Sequence, residues 1–281
     1  MPELPEVETV VRDLRAAGIE GQRVLRARVR TADVIGAPHP RRFAACIAGC
    51  TITAIRRRGK YIVLALSSGD TLLVHLRMTG RLRFRSPGEP WAAHEHVSLV
   101  LHDGRELRYQ DTRRFGRWHL LDDAAPVLER LGPEPLDAHF TAARFGALLA
   151  CRTRQIKPLL LDQRVIAGLG NIYADEALWD AGLHPERPAA SLGARDAQRL
   201  LRSIRKVLRR GLSGLGTTLG RGQTHFYSVA GRRGRNQGRL RVFRRTGRPC
   251  PRCGTPIARL KVAQRSTHIC PRCQRPVQDR H

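Results

Sequence analysis

Near the start of the chain, Val7, Val10, Val11 and Leu14 recur at i, i+3, i+4 and i+7, the spacing of one apolar helix face. Pro5 suits the first helical turn, Glu6 and Glu8 suit the positive end of the helix dipole, and Gly18 suits a C-terminal stop. A helix over 5–18 is therefore predicted. From Val24 to about Leu121 the period falls to two. Residues 51–55, 61–66, 71–76, 97–101 and 106–110 are short, alternating and rich in β-branched side chains. Ser68-Gly69 and Asp103-Gly104 sit where hairpin turns belong. This pattern predicts an antiparallel sandwich.

The Pro- and Gly-containing stretch 131–137 reads as a linker, and beyond it the spacing becomes helical again. Segments 141–151, 156–161 and 171–181 are short helical candidates. The longest is 192–212, with Leu201, Ile204, Leu208 and Leu212 on one stripe. Residues 214–239 are rich in Gly and Arg and read as a mobile loop. No internal repeat is present. The expected class is α+β: a β-sandwich domain over 1–130, a linker over 131–137, a helical domain over 138–240 and a small module over 241–281.

Charge changes the picture more than composition does. The chain of 281 residues carries a formal net charge of +27. An excess of one sign this large favours a polyanionic partner, because binding that neutralises phosphates is strong and salt-dependent. All but four of the 51 basic residues are arginine, a bias that genome composition can also produce. The N-terminus lacks the basic segment and apolar run of an export signal. No stretch approaches the roughly 20 apolar residues of a membrane span. Both features point to a cytoplasmic protein.

Two ends of the sequence carry chemistry. Cys250-x-x-Cys253 and Cys270-x-x-Cys273, with 16 residues between the pairs, have the spacing of two zinc knuckles, predicting one structural Zn2+ held by four thiolates. Cys46, Cys50 and Cys151 remain. An odd remainder in a chain without an export signal implies a reducing compartment. Cys46 and Cys50 could share a helix face, but two thiols alone make a poor metal site. At the other end, removal of Met1 before the small Pro2 exposes a secondary amine beside the Glu3 carboxyl. An α-amine has a reference pKa near ~8, against ~10.4 for lysine, so part of it is neutral and nucleophilic at pH 7. Attack on C1′ of a deoxyribose would expel a base and leave an iminium. Without further context, Pro2 and Glu3 would be read as an ordinary helix start. Glu6 lies one turn from Glu3; it either orients the amine or serves only the helix dipole.

The opening Pro2-Glu3-Leu4-Pro5-Glu6-Val7-Glu8 resembles that of bacterial formamidopyrimidine-DNA glycosylases. Gly59-Lys60-Tyr61, Asp111-Thr112-Arg113-Arg114-Phe115-Gly116, Gly168-Leu169-Gly170-Asn171-Ile172-Tyr173-Ala174 and the cysteine segment through Ala263-Gln264-Arg265 agree as well. These matches are in family order and span nearly the whole chain. Leu4, where the endonuclease VIII branch typically has Gly, favours the oxidised-purine branch. The resemblance implies a helix–two-turns–helix in the second domain. It also implies a monomeric, nucleoid-associated base-excision enzyme that removes 8-oxoguanine and formamidopyrimidines from duplex DNA and nicks the strand by β,δ-elimination. Its partners would be double-stranded DNA with oxidised bases or abasic sites.

By the same resemblance Pro2 is the Schiff-base nucleophile and Glu3 a proton donor to the sugar. Lys60 assists base loss and elimination. Arg265 binds the phosphate beside the lesion and is linked to the second elimination. Met78, Arg113 and Phe115 would fill the gap left by a flipped nucleotide; by themselves Met78 and Phe115 would be read as core. Lys157 and Asn171 are implied phosphate ligands, and His94 and Arg152 further DNA contacts. The chain departs from the family pattern at Thr112, where proline is usual, and in the longer, more basic stretch 220–241. A non-catalytic zinc protein that binds damaged DNA, or an endonuclease VIII-like enzyme for oxidised pyrimidines, are the alternatives. Pro2, Glu3 and Lys60 together argue against the first.

Overall fold

The computed structural model describes residues 2–220 and 225–276. Met1, part of the expected mobile loop (221–224) and the last residues of the expected zinc module (277–281) lie outside them. The chain forms two compact units, one from 1–129 with 211–237, the other from 130–210 with 238–281.

In the first unit the predicted N-terminal helix is α1 (Leu4–Ala16), whose Val7, Val10, Val11 and Leu14 are all buried. It packs against β3 (Ile52–Arg58) and β4 (Tyr61–Leu66). With β1 (Val24–Val29), β2 (Ile35–Ala37), β5 (Thr71–His75), β6 (Arg81–Arg85), β7 (Glu95–Leu101), β8 (Glu106–Gln110) and β9 (Arg117–Leu121), these strands make two sheets, in the orders β1-β7-β8-β6 and β2-β9-β5-β4-β3. Gly69 and Gly104 both have positive φ in the tight turns of the β4–β5 and β7–β8 hairpins. One core cluster draws on both sheets and on α1, with Tyr109 of β8 meeting Trp118 of β9 at a ring separation of 5.5 Å. This continuous core is why the alternating strands fold as a sandwich.

Two local elements differ from expectation. β2 pairs with β9 in parallel, so the sandwich is not wholly antiparallel. A helix, α2 (Pro40–Ile47), interrupts the strand-like stretch; Pro40 opens it and the His39 ring accepts from the Arg41 N–H. Its two buried residues, Phe43 and Ile47, lie four apart on one face, too short a run to read as a period. The short α3 (Ala125–Leu128) adds apolar cover to Val63 and Leu73 on the other face of the five-stranded sheet.

The largest difference concerns 211–237, expected to belong to the helical domain and to be mobile from 214 onward. It clusters instead with the first unit. The reason lies on α1, which buries two carboxylates. Glu6 accepts the Thr217 N–H at 2.7 Å, while Asp13 accepts the Ala230 N–H at 3.0 Å and pairs with Arg232. Gly216, at φ +81°, lies so close that a Cβ there would stand 2.8 Å from Cγ of Glu6. Buried carboxylates need such partners, and this segment supplies them.

The second unit is helical: α4 (Ala142–Ala150), α5 (Ile156–Leu161), α6 (Asn171–Ala181) and α7 (Ala194–Ser213), which continues into the first unit. Thr141 caps α4 by accepting the Arg144 N–H, and Gly182 ends α6 in the left-handed conformation. β10 (Ala258–Val262) and β11 (Arg265–Ile269) complete the unit as a hairpin. Among the described residues no helix is long and apolar enough to cross a membrane.

Candidate active site and nucleic-acid interface

Pro2 and Glu3 are both buried, Glu3 with only 1% of its surface exposed. Glu3 is the N-cap of α1. Its N–H donates to Oε2 of Glu6 at 2.8 Å, and its own carboxylate accepts the Glu6 N–H, closing a capping box. Glu6 thus fixes the backbone immediately after Pro2 and, through Thr217, the segment folded over it. Lys60 lies in the turn between β3 and β4, the strands on which α1 packs, and is 6% exposed. Gly59 before it takes φ +56°. Sequence reasoning passed over His75. Burial, then the charges of Arg77 and Lys60, hold its pKa down at about 3, so it stays neutral beside the ammonium at pH 7. Its period-two position in β5 gave no sign of a buried neutral imidazole.

The wedge candidates are on the surface. Met78 is 37% and Phe115 47% exposed, against the nearly complete burial of the core residues, so core packing does not account for them. The Arg113 guanidinium stacks 4.5 Å above the Phe115 ring. Asp111 organises the loop beneath. Oδ1 accepts from Thr79 Oγ1 and from the Arg113 N–H at 3.1 Å. Oδ2 accepts from the Tyr109 hydroxyl at 2.9 Å and the Gly116 N–H at 2.8 Å. A Cβ on Gly116 would fall 1.7 Å from that hydroxyl, so only glycine fits. Burial and the neighbouring Asp111 carboxylate raise the Tyr109 pKa, keeping the phenol protonated as a donor. Arg77, His94 and Arg114 adopt φ of 51°, 64° and 55° without being glycine. Such strain persists only where surroundings enforce it; here the His94 carbonyl accepts the Asp111 N–H at 2.9 Å. Asp111 opens the motif 111–116, but nothing in the local sequence marks it as the acceptor that holds the loop.

In the second unit α5 packs on α6, and the 168–170 turn, with Gly168 at φ +89°, leads into Asn171 at the start of α6. Asn171 is partly exposed and donates through Nδ2 to the Ser266 carbonyl at 2.9 Å, beside Arg265. Arg265 is exposed at the start of β11, directly after Ala263 and Gln264, which form a two-residue turn with φ of 43° and 63°. Arg152 is partly exposed and donates to the Leu148 carbonyl, closing the end of α4.

Lys157 corrects the sequence reading. It has no exposed surface, pairs with Asp175 at 2.6 Å and donates to Thr267 Oγ1 at 2.7 Å and the Ser266 carbonyl at 3.1 Å. An ammonium enclosed this way cannot meet a phosphate from solvent. It ties β11 to α5 and α6, and so acts on Arg265 at one remove. Asp175 also accepts the His268 N–H at 2.9 Å.

The four cysteine sulfurs lie within 4.8 Å of one another. Cys253–Cys270, Cys253–Cys273 and Cys250–Cys273 are separated by 3.4, 3.5 and 4.0 Å. A tetrahedron with Zn–S bonds of about 2.3 Å requires sulfur separations of about 3.8 Å, so the set fits zinc. Trp179, Val242 and Ile257 pack around it.

Residues 1–118 match the formamidopyrimidine-DNA glycosylase N-terminal domain, 131–221 that family's H2TH domain, and 247–276 a zinc finger found in FPG and IleRS. The chain is 49% identical to a formamidopyrimidine-DNA glycosylase of Moorella thermoacetica over 92% of this chain and 93% of the relative. It is 46% identical to that of Protochlamydia amoebophila over 90% and 92%. The chain belongs to the formamidopyrimidine-DNA glycosylase family. A Lactococcus lactis Fpg variant in complex with Fapy-dG-containing DNA superposes with a TM-score of 0.91 at 36% identity, covering 98% of this chain and 100% of that one. The Thermus thermophilus protein gives 0.87 at 42% identity, covering 97% and 98%. As a family member the chain is a DNA glycosylase and abasic-site lyase with one structural zinc.

Proposed function

We propose that this chain excises oxidised purines, 8-oxoguanine and formamidopyrimidines, from duplex DNA and nicks the strand, acting as a monomer in the bacterial cytoplasm. The observation that carries this reading is the burial of Pro2 and Glu3 at a helix start locked by Glu6, on the strands that flank Lys60. A helix start needs none of this enclosure.

After removal of Met1, the Pro2 nitrogen attacks C1′ and forms an N–C bond while the glycosidic bond breaks. Glu3 protonates the ring oxygen so that the sugar opens, and the base departs protonated. The resulting iminium acidifies C2′; loss of that proton breaks the C3′–O bond. A second elimination breaks the C5′–O bond. Lys60 serves base loss and elimination, and Arg265 holds the adjacent phosphate. Met78, Arg113 and Phe115 occupy the space of the flipped nucleotide, with Asp111 fixing the loop of Arg113 and Phe115. Asn171 takes a backbone phosphate, and His94 and Arg152 are further DNA contacts.

Borohydride reduction in the presence of an 8-oxoguanine duplex tests the reading. A covalent protein–DNA product that Pro2→Gly abolishes is expected. Tight binding with neither trapping nor cleavage would instead make the chain a non-catalytic damaged-DNA binder.

A further inference from the structure

The apolar side of α7 is buried through Leu200, Leu201, Ile204, Val207 and Leu208. Its outer side carries Arg195, Arg199, Arg202, Lys206 and Arg209, all exposed. Their spacing of i, i+4, i+7, i+11 and i+14 places them within an arc of about 80° along a length of about 21 Å. Two of the five have acidic neighbours: Arg199 pairs with Asp196 at 2.6 Å and Lys206 with Asp180 at 2.7 Å. For Arg195, Arg202 and Arg209, one heptad apart, the described contacts include no carboxylate. The other basic residues of the helix are spent internally. Arg205 donates to the carbonyls of Pro135, Asp137 and Phe140, and Arg210 pairs with buried Glu176. The helix therefore sorts its cations, some to hold the fold and the rest onto one outward row.

We propose that this row is a second DNA-binding surface, which takes the phosphate backbone of another duplex segment while the first is engaged at the excision site. Charge complementarity selects the occupant. Arg195, Arg202 and Arg209 recur about every 10 Å along the helix axis, with no carboxylate among their described contacts, and so offer a line of positive charge to a line of phosphates. Guanidinium is the cation best suited to phosphate. The row offers no apolar anchor among its members, as a folded protein partner would require. None of the five belongs to the residues assigned to catalysis or to phosphate binding above. The contact is independent of sequence and lets the protein pass from one DNA segment to the next without release. The inference rests on duplex DNA being the partner at the first site.

The test saturates the protein with a short unlabelled duplex holding an abasic-site analogue, then titrates in a labelled undamaged duplex. A ternary complex is expected, with a log–log salt slope near −2.7, the value for about three neutralised phosphates. The variant R195Q/R202Q/R209Q should lose that second binding by at least about tenfold and keep wild-type excision of 8-oxoguanine, which also certifies its fold. A variant with the same charge loss elsewhere, R26Q/R41Q/R42Q, should still form the ternary complex. Absence of a ternary complex in the wild-type protein, or equal loss in both triple variants, overturns the second surface. So does a row that binds an acidic peptide but not duplex. If the abasic duplex itself fails to bind, it is the proposed function that falls.

Discussion

Asp111→Ala should uncouple lesion recognition from strand cleavage. The carboxylate is fully buried and receives four donors. Truncation strands two of them in the interior, the Tyr109 hydroxyl and the Gly116 N–H. Each orphaned donor costs about 1–3 kcal/mol, so the two together cost about 2–6 kcal/mol. Asp111→Asn is milder. With its NH2 on the Oδ1 side, Thr79 can turn its hydroxyl to accept, the other oxygen still serves Tyr109 and Gly116, and only the Arg113 N–H loses its carboxylate. That costs about 1 kcal/mol. The loop that carries Arg113 and Phe115 should therefore loosen in the order wild type, Asn, Ala. Urea unfolding followed by tyrosine and tryptophan fluorescence reads the stability order. Parallel single-turnover assays read excision from an 8-oxoguanine duplex against cleavage of a pre-formed abasic site. Flipping a stacked base costs a few kcal/mol that the wedge helps to offset, whereas an abasic nucleotide has no base to unstack. Excision should thus slow more than abasic cleavage, at least about tenfold more in Asp111→Ala. Equal slowing of both reactions, or wild-type stability in Asp111→Ala, would refute the assignment of Asp111 as the organiser of this loop.

Other consequences are equally open to measurement. Pro2→Gly, or retention of Met1, should abolish excision and borohydride trapping while DNA affinity stays within about tenfold, because the amine and the phosphate contacts are different groups; a protein that keeps Met1 and excises normally would contradict the nucleophile. Cys253→Ser, or chelation of zinc, should weaken DNA binding by more than about tenfold while the thermal transition of the first unit persists, since a hairpin this small folds on its metal; calorimetry with verified zinc loss checks both. Lys157→Met should destabilise the second unit by about 3–5 kcal/mol by leaving the buried Asp175 carboxylate without its cation, and Lys157→Met/Asp175→Leu should recover part of it. His75, with a folded pKa of about 3 against 6.5 for an ordinary histidine, stays neutral while the unfolded chain takes up a proton. Its contribution is complete above pH 6.5 and is lost as pH falls from there toward 3; His75→Gln should flatten the stability profile in that window.

Periodicity and punctuation determined most of the architecture. Segments 61–66, 106–110, 156–161 and 171–181 coincide with β4, β8, α5 and α6 residue for residue, because each has an apolar face of the right period and a Gly, Pro or polar boundary. The zinc ligands were legible for a similar reason, since CxxC spacing brings two thiolates together locally. Helix α2 was not legible, because two buried side chains on an eight-residue helix carry too little signal. The parallel pairing of β2 with β9 was hidden too, as it joins strands far apart in the chain. Only tertiary structure decided what individual polar residues do. Lys157 looked like a phosphate ligand until its enclosure by Asp175 and Thr267 made it a tie within the fold. Met78 and Phe115 would be core by pattern alone, and the family resemblance made them wedge candidates; their exposure is what takes them out of the core. The Gly- and Arg-rich stretch 214–239 looked mobile, yet the buried carboxylates of Glu6 and Asp13 hold its Thr217 and Ala230 to α1. Sequence records which side chains can bury or bond. Whether a charge faces phosphate, solvent or a buried partner depends on long-range packing, which no local pattern encodes.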